Sequence, residues 1–327
     1  MRSLMGIQIL GTGSYVPDNI VKNEDLSSLG CDPEWIVQRT GIKERRHAPP
    51  EMATSDMAYE AALRALDDAG VSKDEIDLII VGTFTPDSAT PSTACRLQNK
   101  LGIKCAAMDL SAACAGFMYT LVTASQFVSC GTSKRALVIG ADLLSRVINP
   151  NDKRIYPLFG DGAGAVVLGP GTQEQGLVSY TLGSEGEGGD LLCIPAGGTR
   201  EPTTTETLAA NRQYLHMDGR SVFKWAVRVI ADSVTDVMKH AQVTPDDLTL
   251  LLMHQANVRI IDAACDNLGF DRDKIPVNLD VYGNTSAGSV PIVLDEVHKK
   301  QPIQPGDQIA LCGFGAGLAW GSAIFRW

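Results

Sequence analysis

No apolar run in this 327-residue sequence is long enough to cross a bilayer. The longest, LTLLLM and ALVIGA, are strand-sized, far short of the roughly 20 residues that a membrane helix needs. The opening MRSLMGIQILGTGS carries one Arg, but its apolar run is too short for a signal peptide and no small-residue cleavage site follows. Paired cysteines are missing too: eight are scattered along the chain with no CxxC among them. That argues against a disulfide framework and a zinc site. Reduced thiols, a cytoplasmic location, no membrane partner and no metal are expected. Positive charge is outnumbered, with 28 Lys and Arg against 38 Asp and Glu and a net charge of −10, which argues against a nucleic-acid partner. The glycine clusters GTGS, GDGAG and GFGAG lack what a nucleotide loop needs. LGTGSYVP follows a strand, but Pro17 blocks the helix of a dinucleotide fingerprint and the third glycine is missing. FGDGAGAVVLG runs into a strand, and no P-loop lysine is present, so nicotinamide and ATP sites are rejected.

What the sequence does have is repetition. Residues 69–82, AGVSKDEIDLIIVG, and residues 241–254, AQVTPDDLTLLLMH, share a helix end, a Ser/Thr with acids after it and a buried strand, 172 positions apart. At the same offset ACAGFMYTL from 113 meets TSAGSVPIV from 285, and RALVIGA from 135 meets QIALCGF from 308 within one residue. Such self-similarity is the mark of an internal duplication into two βαβ-rich halves. The boundary is placed in LGPGTQEQG, giving halves 1–172 and 173–327. The strands DLIIV, ALVIG, LTLLLM and QIALCG are continuously apolar, as in sheets covered on both faces. Helices are expected over 55–70, from a Ser/Asp cap to Gly70, and over 219–241. A pocket is expected where equivalent strand ends of the two halves meet.

Differences between the halves single out residues. Gly82 ends the first-half strand where the second half has His254, and Cys114 stands where the second half has Ser286, two residues after Asn284. Cys114 precedes an apolar helix with Phe117, Leu121, Ala124, Phe127 and Val128 at helical spacing and Gly131 as its stop. A cysteine at a helix N-terminus is expected to favour the thiolate, the nucleophilic form. A neutral histidine and an asparagine amide each offer a hydrogen bond to a developing oxyanion or enolate. In DPEWIVQRTG, Asp32 as N-cap, Pro33 at N1 and Gly41 past the end define a short helix that puts Trp35 and Arg39 on one face. An indole beside a guanidinium can stack a purine and contact a phosphate.

DLSAACAGF, HQANVRIID, GNTSAGSVP, FGDGAGAVVLG and GFGAGLAWGSA together resemble β-ketoacyl-ACP synthase III over essentially the whole chain. The Cys/His/Asn set is unlike the Cys/His/His of elongating ketoacyl synthases and unlike thiolases with their second cysteine. The resemblance implies a thiolase-like α/β fold, five-layered αβαβα from two duplicated halves, in a homodimer. It implies that Cys114 takes an acyl group from acyl-CoA, with the backbone N–H groups of Cys114 and Ala316 as oxyanion hole. His254 and Asn284 then hold malonyl-ACP as CO₂ leaves, giving 3-oxoacyl-ACP. CoA and the acyl carrier protein enter as substrates, and no cofactor is implied. Carried over by position, Trp35 and Arg39 grip the adenine and phosphate end of CoA, with Lys153 or Arg154 as a further contact. Met217, Gly219, Phe223, Ala256, Asn257 and Arg259 line the pantetheine tunnel or its mouth.

Thr90 stands where some relatives have a bulky Phe reaching across the dimer to close the acyl pocket, so a longer or branched primer is expected. Asp262, Asp266, Asp271 and Asp273 make the helix after HQAN acidic, which leaves Arg259, Lys224 and Arg228 to greet an acidic carrier. The alternatives are a secondary-metabolic relative with another starter or acceptor, a papain-like thiol hydrolase, which also runs Cys, His, Asn, and a non-catalytic acyl-CoA-binding homologue. The duplicated halves count against the hydrolase.

Overall fold

The computed structural model describes residues 3–327; Met1 and Arg2, the first residues of the segment read for a signal peptide, lie outside them. Two five-stranded mixed sheets form the frame. The first runs in spatial order Ile7–Tyr15, Gly162–Pro170, Ala136–Asp142, Leu78–Gly82 and Ala106–Leu110. The second runs Leu4–Met5, Gly176–Ser184, Ala319–Arg326, Gln308–Gly315 and Leu250–Met253. Their parallel pairs are Leu78–Gly82 with both neighbours and Leu250–Met253 with Gln308–Gly315, and every strand in them except Ala106–Leu110 comes from the apolar runs picked out above. Leu4–Met5 departs from the division at residue 172: it pairs with Gly176 and Leu177 and so joins the second sheet.

The helices Gly116–Ser129 and Ser289–Lys300 lie between the sheets, each touching strands of both. Gly116–Ser129 is apolar nearly all round, as a helix with sheets on two sides must be. Its Phe117, Met118 and Leu121 share one core with Ile80, Val138, Leu252 and Leu311. Thr54–Ala69 and Thr93–Leu101 cover the outer face of the first sheet, and Gly219–Ala241 with Val258–Leu268 the outer face of the second. The result is the expected five-layered αβαβα arrangement. No helix among the described residues is long and apolar enough to cross a membrane.

Local signals hold in detail, with one correction. Gly219–Ala241 has the expected bounds, and Asp32 accepts from the Glu34 amide ahead of Pro33–Thr40. Thr54–Ala69 does end at Gly70, in the left-handed region at φ +60°. Its start is set by Asp56, whose carboxylate accepts the Ala53 amide, rather than by a Ser/Asp N-cap. Ser55 is drawn away to Asp87, which takes both its amide and its hydroxyl.

The duplication is real in the backbone but one residue out of register at the turns. Ala113 and Ser286 both have left-handed φ, +45° and +51°, and each starts a short 3-10 turn leading into one of the two central helices. Gly140 and Gly313 hold matching places: a Cβ on the first would meet Ala287 O at 2.0 Å, and on the second Cys114 O at 3.5 Å. Ala287, not Ser286, is therefore the structural counterpart of Cys114. Ser286 is freed to approach the cysteine instead of replacing it.

Candidate active site

Cys114 sits in the turn Ala113–Ala115, where the chain leaves the first sheet and enters the central helix. Gly315 backs it. A Cβ there would lie 2.8 Å from Cys114 Cβ and 3.2 Å from Sγ, so only glycine leaves the nucleophile its place. His254 follows the strand Leu250–Met253, its amide donating to Cys312 O at 2.8 Å. Asn284 bridges to Phe159, with Asn284 N donating to Leu158 O and Gly160 N to Asn284 O. Equivalent ends of the two sheets thus converge, and Cys114, His254 and Asn284 line one cavity of about 110 Å3. Phe84, Phe159, Leu192, Leu215, Val222, Ile260 and Phe314 make its walls largely apolar.

Second contacts fix which atoms are left for chemistry. Asn284 Oδ1 accepts the Ser286 amide at 2.8 Å, so the side-chain NH2 is the part left for the cavity. His254 Nδ1 is 2.6 Å from Ser289 Oγ, whose hydroxyl also reaches Ser286 O at 2.8 Å. Nε2 is therefore the ring nitrogen presented to the cavity. The His254 ring lies edge-on to Phe314, with centroids 5.1 Å apart. Burial lowers its pKa to about 3, which keeps the imidazole neutral.

The thiol behaves otherwise than the helix N-terminus suggested. Burial pushes Cys114 up to about 12, against the Ser286 hydroxyl 3.3 Å away and with help from the Asp142 charge. Desolvation outweighs the dipole, and the resting nucleophile is a protonated thiol.

The remaining candidates divide by place. Met217, Gly219, Phe223, Ala256, Asn257 and Ala316 line the same cavity as Cys114. Arg259 is exposed at its edge, with its guanidinium 5.7 Å from the Phe223 ring. Trp35 and Arg39 do not line it; both are exposed on Pro33–Thr40, with the guanidinium 5.6 Å from the indole centroid. Asn257 ties that helix to the mouth by donating to Arg39 O. Lys153 and Arg154 are exposed and outside the cavity, and Arg154 faces Asp152 at 3.7 Å. Thr90 is exposed and lines no part of the cavity, which Phe84 lines instead. Of the basic residues expected to greet a carrier, Arg228 is paired to Glu185 at 3.0 Å, while Asp262 on the acidic helix is paired to Arg272. Sequence reasoning missed Phe84, Asp142 and Ser289. Asp142 alone carried a signal, as a charge closing the apolar run ALVIGA.

Comparison with known proteins decides among the readings. Residues 108–186 match the 3-oxoacyl-[acyl-carrier-protein (ACP)] synthase III family, and residues 238–327 match its C-terminal family. The β-ketoacyl-[acyl-carrier-protein] synthase III of Rhodopirellula baltica is 57% identical over the full length of both chains. The chain belongs to the 3-oxoacyl-[acyl-carrier-protein] synthase III family. A relative of the same name from Desulfitobacterium hafniense is 47% identical over 99% of this chain and 98% of its own. The crystal structure of the Aquifex aeolicus synthase III is 41% identical, covers 98% of this chain and all of its own, and superposes with a TM-score of 0.91. The thiolase-like fold follows, and with it an acyltransferase, a condensing enzyme that initiates fatty-acid synthesis. The papain-like and non-catalytic readings fall.

Proposed function

We propose that Cys114 is acylated by an acyl-CoA primer and that His254 and Asn284 carry the decarboxylative condensation with malonyl-ACP. One observation carries this reading. Three side chains from both halves meet in a largely apolar cavity with their other atoms already hydrogen-bonded, leaving a thiol, Nε2 and an amide NH2 facing one space. In the first step Sγ attacks the thioester, and the backbone N–H groups of Cys114 and Ala316 receive the oxyanion. CoA leaves and malonyl-ACP enters. As CO₂ departs, the enolate oxygen forms between Asn284 Nδ2 and His254 Nε2, and the enolate carbon attacks the acyl-enzyme. For Nε2 to donate, Ser289 must turn its hydroxyl proton from Ser286 O to Nδ1, which fixes the tautomer. Neither step calls for a cofactor.

Trp35 and Arg39 are assigned to the adenine and phosphate end of CoA, with Lys153 or Arg154 as a further contact. Met217, Gly219, Phe223, Ala256 and Asn257 are assigned to the pantetheine tunnel and Arg259 to its mouth. A cytoplasmic homodimer of chains divided at residue 172 completes the reading. Thr90 can shape the acyl pocket only from a second copy, because its own protomer keeps it outside. Incubation with a ladder of acyl-CoAs, followed by intact mass, tests the assignment. An adduct on Cys114 that malonyl-ACP discharges to 3-oxoacyl-ACP supports it, and the best-labelled chain names the primer. No adduct with any acyl-CoA refutes it.

A further inference from the structure

One wholly buried charge has no part in the mechanism above. Arg45 stands in the middle of the strand Glu44–Arg46, which pairs with Ile20–Lys22, and none of its surface is exposed. Burial lowers its pKa only to about 10, so the guanidinium stays charged at neutral pH. Every acceptor it has is neutral. Nη1 donates to Val21 O at 3.1 Å, and Nη2 to Asn23 Oδ1 at 2.7 Å and to Pro157 O at 2.6 Å, while Nε has no partner. A buried charge is costly even when hydrogen-bonded, and apolar packing often serves stability as well, so stability alone is a poor reason to keep one here.

Its surroundings supply another reason. Pro157 O, the acceptor in the shortest of these bonds, begins the segment 157–160 that grips Asn284. Asn284 N donates to Leu158 O at 2.8 Å and Gly160 N to Asn284 O at 3.0 Å, and Phe159 and Asn284 pair as a parallel bridge. The stem of Arg45 backs the same junction: a Cβ on Gly160 or on Gly283 would lie 3.2 Å from Arg45 Cβ. The neighbours of Arg45 tie down the flanks. Lys43 N donates to Asp280 O at 2.9 Å, in the short helix Leu279–Tyr282 that precedes Asn284, and Arg46 O accepts the Asp161 amide at 2.8 Å. Arg45 itself lines no part of the cavity, whereas Leu158, Phe159 and Asn284 do.

We propose that Arg45 is a positioning residue for Asn284: its guanidinium pins residues 157–160 against the Asn284 backbone and so fixes where the amide NH2 meets the malonyl carbonyl. The proposal rests on the role given to Asn284 above. Cys114 is held by the Ala113–Ala115 turn and by Gly315, and none of the hydrogen bonds of Arg45 reaches either. Loss of the guanidinium therefore disturbs the second half-reaction and spares the first.

Arg45→Met keeps most of the stem and removes the guanidinium. It leaves three acceptors unpaired and should lower Tm, so rates are compared where circular dichroism shows the variant folded, and the Cys114 that takes an acyl group counts competent enzyme. Acylation should stay within about twofold of wild type, while CO₂ release from malonyl-ACP falls roughly tenfold or more, in kcat rather than KM, as displacement of an orienting group by a fraction of an ångström predicts. Normal CO₂ release by the folded variant, or an equal fall in both steps, overturns the proposal. The double variant with Asn284→Ala locates the effect. Arg45→Met should add less than about twofold to the loss from Asn284→Ala, because an amide that is gone has no position to lose; additive losses would place the influence of Arg45 elsewhere and overturn the proposal. Arg45→Lys can still donate to Pro157 O and should recover part of the release, and no recovery would show that this bond does not pin the segment. Normal CO₂ release by Asn284→Ala alone would instead overturn the role of Asn284, and the proposal with it. Amide exchange in the wild-type protein gives a readout that needs no variant to fold. The Gly160 and Asn284 amides should exchange as slowly as those of the buried strand Ala136–Asp142, and exchange at the rate of exposed loops would show an unpinned junction and overturn the proposal.

Discussion

An alanine at position 315 would place its Cβ 2.8 Å from Cys114 Cβ, 3.0 Å from the Cys114 amide nitrogen and 3.2 Å from Sγ. Carbon atoms rest at roughly 3.5–4.0 Å, so one backbone or the other must yield by roughly 0.7 Å or more. The Gln308–Gly315 strand is paired along its whole length to Ala319–Arg326, Gly315 included, and resists, leaving the Ala113–Ala115 turn as the softer side. The nucleophile and the Cys114 N–H of the oxyanion hole would then shift together. Misplacement by about 1 Å costs on the order of 100-fold in rate, so Gly315→Ala should slow acylation by roughly 10- to 100-fold. Overpacking should cost about 1–3 kcal/mol of stability, which leaves a protein of this size folded. Rapid quench with acyl-CoA and intact mass gives the acylation rate, and thermal unfolding gives the stability. A folded variant acylated at the wild-type rate would refute the claim that Gly315 sets the position of the nucleophile.

Other expectations follow from the same geometry. His254→Ala and Asn284→Ala should still acylate Cys114 but lose malonyl-ACP decarboxylation, measured as CO₂ release; normal release from both would reverse the roles given to them. Ser289→Ala removes the partner of His254 Nδ1 and should lower condensation about fivefold while acylation changes less, the size expected for a hydrogen bond worth ~1 kcal/mol. Acid should destabilise the fold through His254. Its folded pKa of about 3 lies below the ordinary 6.5, so its contribution is complete above pH 6.5 and is lost as pH falls toward 3. The loss is about 2 kcal/mol by pH 5, and His254→Asn should flatten the fall in Tm between pH 6.5 and 5. An unchanged acid limb would place the titrating group elsewhere.

Much of the site is legible in the sequence alone, because duplication makes each half a control for the other. A histidine at a strand end where the first half has glycine, and a cysteine before a helix in the midst of small residues, stood out against their counterparts. The supporting groups did not. Ser289 reads as a helix-start serine and Asp142 as the polar end of a strand, and only contacts spanning many residues show one on His254 Nδ1 and the other behind Cys114. Lys153, Arg154 and Thr90 lie outside the cavity, so position in the sequence did not bring them to it.

Periodicity, caps and repetition are local properties, and they determined the helices at 33–40 and 219–241, the buried strands, the two halves and the three residues that meet in the cavity. The one-residue register between the halves was decided by close packing, where Gly140 and Gly313 let the opposite turn approach. Protonation states were decided by burial. A thiol at a helix start is a protonated thiol here, and a histidine is held neutral, because sheets and helices from both halves remove water from around them. Desolvation is set by everything within a few ångströms in space, and the order of residues along the chain does not carry it.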